Sequence, residues 1–138
     1  MTFQTLPAAI SPAELVQRYF TSFPVACFSL TVLTDIAYWQ TSNLLWLHFS
    51  EWLLFAGLVF GTLAGVVAVI CRIAGIAGST WLAILGWILV LALAILNSLI
   101  HTADGWTAVI PWGITTSIVT LIVMIAVGFF GRRGQANA

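Results

Sequence analysis

Four apolar stretches, at about 20–39, 47–70, 81–100 and 108–130, take up most of this chain and decide its architecture. About 20 apolar residues, rising ~1.5 Å each as a helix, cross the ~30 Å hydrocarbon core of a bilayer. Backbone amides and carbonyls find no water there, so only helices or closed barrels can span it. Barrel strands alternate apolar and polar residues with a period of two, and these runs do not. The chain therefore reads as all-α, a transmembrane four-helix bundle of one domain. Charge supports this. Eight of 138 residues are charged, 6% in all, and none is lysine, whereas soluble domains carry roughly 25%. So few charges cannot clothe a water-facing surface, and the lipid bilayer is the first partner. Net charge is zero, which leaves no basic face and excludes nucleic acid.

Arginine gives a direction. Arg18 precedes the first span, Arg72 lies between the second and third, and Arg132 and Arg133 follow the fourth. In a four-span chain these places share one side, and the loops near 40–46 and 101–107 hold no Lys or Arg. The positive-inside rule then predicts both termini in the cytoplasm. Trp39, Trp46, Trp52, Trp106 and Trp112 gather at the opposite rim, as an aromatic belt does. Ser11 as N-cap, Pro12 at the first position and Glu14 three residues after the cap predict a helix start. We expect a short interfacial helix at about 12–20, turning into the membrane near Pro24. The fourth span is expected to carry Pro111 in its first turn.

Gly57, Gly61 and Gly65 recur every four residues in the second span and make a small-residue stripe. Such a stripe lets another helix approach closely in lipid. It suits internal packing first, and a homo-oligomer second. Cys27 and Cys71 read as reduced, membrane-buried side chains.

The ionisable residues are segregated. Asp35, His48, Glu51, His101 and Asp104 all fall towards the rim opposite the arginines, with Asn97 four residues before His101. Ionisable groups in membrane segments are costly and are candidate functional residues. Four readings follow. Interfacial hydrogen bonding is the plainest, with Asp35 capping loop amides or pairing with His48, and Glu51 at the positive start of the second span. In the second, His48 and His101 lie at similar depth on antiparallel neighbours and ligate one b-type haem, with Asp35, Glu51, Asn97 and Asp104 around them. The third makes Asp35, His48, Glu51 and His101 a mixed nitrogen–oxygen metal site. Proton or solute transport comes last, because the midplane residues are apolar.

"FPVACFSLTVLTDIAYW" followed by "WLHFSEWLLFAGLVFGTLAGVV" resembles the bacterial four-helix membrane family catalogued as domain of unknown function 2231. The shared features are Phe23 and Pro24 opening the first span, Asp35 near its end, Trp46 and Trp52 opening the second, and the glycine stripe. Many members carry a His before the first span and an Asp closing the second. Here Ser22 and Phe23, and Cys71 and Arg72, stand at those places. The resemblance covers roughly residues 20–130 and implies a multi-pass protein of the bacterial inner membrane, an accessory to periplasmic oxidoreductases. On this basis the expected function is a small electron-transfer or anchor subunit. It would bind haem b through His48 and His101 near the periplasmic face, and link a periplasmic dehydrogenase or cytochrome to the quinone pool. The alternative is a cofactor-free scaffold or assembly subunit that packs through its glycine stripe. No nucleophile–base pair or phosphate-binding loop is present, so hydrolysis and nucleotide chemistry have no support.

Overall fold

Four long apolar runs with short breaks leave the chain little choice but to fold back on itself three times. The computed structural model describes residues 12–76, 80–102 and 109–136, and shows α1 (Pro12–Thr41), α2 (Leu44–Ile73), α3 (Trp81–Thr102) and α4 (Ile114–Ala136). All four are long and apolar enough to cross a membrane. Every described helix packs on its neighbours in chain order, and α4 closes the ring against α1. The bundle thus has a hairpin end, at the α1–α2 turn and the end of α3, and a terminal end, where α1 starts and α4 finishes.

Helix ends follow local chemistry. Ser42 closes α1 in the left-handed conformation (φ 52°). Asn43 then caps α2, its side-chain oxygen accepting the Leu45 N–H at 3.0 Å. Two boundaries differ from the sequence expectation. Residues 12–20 form no separate interfacial helix; they are the first turns of α1, which runs through Pro24. Pro111 does not sit in the first turn of α4. A wide helical turn, Val109–Gly113, precedes that helix, with Ile110 extended (φ −121°, ψ 116°), because the proline ring disfavours helical geometry in the residue before it. Ser11, Asp104 and Trp106, singled out above, lie outside the described residues.

The buried positions explain how the helices meet. On α2 they are Leu47, Ser50, Leu54, Gly57, Gly61, Ala64, Ala68 and Cys71, alternating steps of three and four. That 3.5-residue repeat keeps one seam facing the bundle axis, as in a coiled coil. The α1–α2 register sets Phe28 against Gly57 and Pro24 against Gly61. A Cβ on Gly57 would stand 2.5 Å from Phe28 Cε1, so that ring packs on bare backbone. Gly61 and Gly65 receive α3: Leu91 and Trp87 lie over them, and the Trp87 indole N–H donates to the Gly61 carbonyl at 2.9 Å. The stripe is therefore occupied within the chain. Phe28, Leu54, Val90, Ala94 and Met124 form the central core. Large apolar side chains outside the seams, such as Leu33, Phe55, Leu85 and Ile122, point outward and are more than half exposed. In water that surface would aggregate; in a bilayer it is the lipid face.

Candidate functional site

Asp35, one and a half turns from the end of α1, is 1% exposed. A lone carboxylate there would be very costly, so its partners define the site. They come from the three other helices. Ser50 of α2 donates to Oδ1 at 2.5 Å. His101 of α3 brings Nε2 to 2.9 Å from the same oxygen. Ser117 of α4 donates to Oδ2 at 2.5 Å. Behind these, Asn97 Nδ2 donates to Ser117 Oγ at 2.7 Å. Thr34 Oγ1 lies 2.7 Å from Ser50 Oγ and 3.0 Å from the Thr31 carbonyl; since Ser50 spends its proton on Asp35, the single Thr34 proton is shared between Ser50 Oγ and its own helix backbone.

The proton inventory is tightly constrained. His101 Nδ1 is 2.9 Å from the Asn97 backbone carbonyl, which can only accept, so Nδ1 carries a hydrogen. Nε2 and Asp35 Oδ1 then share one further proton. Whether it rests on the imidazole or the carboxyl, the pair has no net charge. That neutrality lets the two groups lie together in a low-dielectric interior.

Two apolar layers seal the network. Tyr38, Leu47 and Val109, with Leu44, Trp46 and Ile110 against them, cover it at the hairpin end. Leu54, Val90 and Ala94 of the central core underlie it. The turn before α4 contributes backbone: a Cβ on Gly113 would come 3.2 Å from His101 Cε1, so glycine there lets the chain lie close to the imidazole edge. Asn97 Oδ1 is buried and has no hydrogen-bond partner among the described residues.

The structure divides the residues that the sequence grouped together. His48 lies on the outward face of α2, its side chain 62% exposed, with Nδ1 3.2 Å from Glu51 Oε2. His101 is fully enclosed. Asp35 pairs with His101, not with His48. The four-residue metal set therefore splits into two separate pairs, and among the described residues no three of His, Cys, Asp and Glu converge. The residues also do not fit a bis-imidazole haem. The two imidazoles face different environments, and both His101 nitrogens are engaged, by Asp35 and by the Asn97 carbonyl. Iron could bind His101 only by breaking its contact with Asp35 or its contact with the Asn97 carbonyl. Ser50 and Ser117 are the site residues that sequence reasoning missed. Cys27 and Cys71 are buried, free thiols.

No curated protein and no solved structure matches the chain. A family model described as "Predicted membrane protein (DUF2231)" matches residues 19–137. The four apolar helices and this match together place the chain in the DUF2231 family of predicted membrane proteins.

Proposed function

We propose that this protein is a cofactor-free membrane scaffold or anchor subunit whose buried ionisable cluster around Asp35 locks four helices into one register. The observation that carries this reading is the Asp35 carboxylate. Both its oxygens are taken by side chains from α2, α3 and α4, so the carboxylate is engaged in tying the helices together. Glycine-to-ring contacts fix the hairpin α1–α2 and the pair α2–α3. A rigid bundle with a tryptophan-bearing rim, where Trp39, Trp52 and Trp112 are exposed, suits a subunit that presents a fixed surface to a membrane partner. The test is optical and thermal together. Purified protein is expected to be colourless above 350 nm yet fully helical and cooperatively unfolding. A Soret band that shifts on reduction and vanishes in His101→Ala would replace this reading with the haem one.

The shared proton favours a second reading. A lock needs only hydrogen bonds, which Asn, Ser or Thr supply, whereas an Asp–His pair also holds an exchangeable proton. In that reading the chain carries a buried proton site, closed in this conformation by Tyr38, Leu47 and Val109. Infrared difference spectra of the carboxyl stretch across a pH titration separate the two. A lock gives no carboxyl band that titrates and is removed by Asp35→Asn; a proton site gives one.

A further inference from the structure

The bundle is tight at the hairpin end and open at the terminal end. There, below the central core, lies a cavity of about 500 Å³. Gln17 and Thr21 of α1, Ala68 of α2, Ile84 and Trp87 of α3 and Gly128 of α4 are among its walls. Its volume falls in the range of small-molecule sites, roughly 300–1,000 Å³. The walls are overwhelmingly apolar, and Val66, Ile70 and Ile88 at its border face the lipid side. The cavity is therefore continuous with hydrocarbon. Apolar cavities do not hold water, so what fills this one comes from the bilayer.

Charge selects among bilayer components. Of the charged side chains that are described, both acidic ones, Asp35 and Glu51, belong to the hairpin end, while Arg18 and Arg72 stand at the terminal end. Both arginines are exposed. Arg18 stands three residues before Thr21 on α1, and Arg72 three residues after Val69 and four after Ala68 on α2, so each is the helical-face neighbour of a cavity-wall residue. The Arg72 guanidinium is held over the Trp81 ring, 5.6 Å from its centroid. Basic pockets between transmembrane helices bind anionic lipid headgroups. We propose that the cavity holds an acyl chain of one anionic phospholipid, with the phosphate at Arg18 and Arg72. The network around Asp35 plays no part in this site, so the two proposals stand or fall separately.

The test is titration of delipidated protein in neutral detergent with phosphatidylglycerol or phosphatidylcholine of matched chains, read by native mass spectrometry. One phosphatidylglycerol should bind more tightly than phosphatidylcholine, by about fivefold for each arginine engaged. Arg18→Gln and Arg72→Gln should each lose about that factor, and Arg72→Lys should keep most of it. A Cβ on Gly128 would have no atom within 4 Å, so Gly128→Phe can enter the cavity without displacing a neighbour. It should weaken both lipids equally while helical circular dichroism stays unchanged. Equal binding of the two lipids, phosphatidylglycerol binding unmoved by Gly128→Phe, or preferential occupancy by added ubiquinone would overturn the proposal.

Discussion

Replacing Asp35 by alanine removes a side chain that is hydrogen-bonded to all three other helices. The carboxylate takes three side-chain hydrogen bonds, from Ser50, His101 and Ser117. Hydrogen bonds between helices in lipid average about 0.6 kcal/mol each, so three set a floor of roughly 2 kcal/mol. Removing one partner of a buried pair costs about 3–5 kcal/mol where the other is left charged. In Asp35→Ala, His101 can release the shared proton and become neutral, which keeps the cost below that ceiling. We therefore expect a loss of about 2–4 kcal/mol. Asp35→Asn is a sharper test. Its amide N–H can donate to His101 Nε2 and its oxygen can accept from Ser117, while the Ser50 contact must reverse, with Ser50 accepting the second N–H, so the loss should be no more than about 1 kcal/mol. The assay is reversible unfolding in mixed detergent and dodecyl sulfate micelles, followed by helical circular dichroism and tryptophan fluorescence. Asp35→Ala within about 0.5 kcal/mol of the parent protein, or Asp35→Asn as damaging as alanine, would refute this reasoning.

Two packing contacts give further expectations in the same assay. Gly57→Ala brings a methyl to 2.5 Å from Phe28 Cε1 and should cost about 1–3 kcal/mol; Phe28→Leu in that background should restore part of the loss, and an additive effect would contradict the contact. Trp87→Phe keeps the ring over Gly65 but removes the N–H donated to the Gly61 carbonyl; the expected loss is about 0.5–1.5 kcal/mol, and no loss would show that the bond does not hold α3 to α2.

Lipid is the reason the four helices are legible from sequence. It demands length and apolarity, and both can be counted along the chain. Which faces meet is harder, because it depends on rotation about each helix axis. His48 and His101 look equivalent at the level of depth, yet they differ in rotation about their helix axes, one facing outward and one into the bundle. The discriminating signal is present in α2. Stepping back from Gly57 by three and four residues reaches Leu54, Ser50 and Leu47 and misses His48 by one position. The same stepping on α3 from Val90 passes Ala94 and Asn97 and lands on His101. Ser50 and Ser117 carry no signal of their role in the sequence for a different reason. Hydroxyls in membrane helices usually bond to their own backbone, as Thr31, Thr116 and Thr120 do here. Only the arrival of Asp35 between four helices draws those two serines away. The turn at Val109–Gly113 was readable from Pro111, since a proline restrains the residue before it, but the apolar run around it conceals the break.

If this pair locks the bundle, Asp35 and His101 must be energetically coupled. A double-mutant cycle of Asp35→Ala and His101→Ala measures that coupling directly, with His48→Ala and Glu51→Gln as the exposed control pair. A coupling of at least about 1 kcal/mol is expected for the buried pair and none that can be measured for the control. Additive losses at Asp35 and His101 would contradict it.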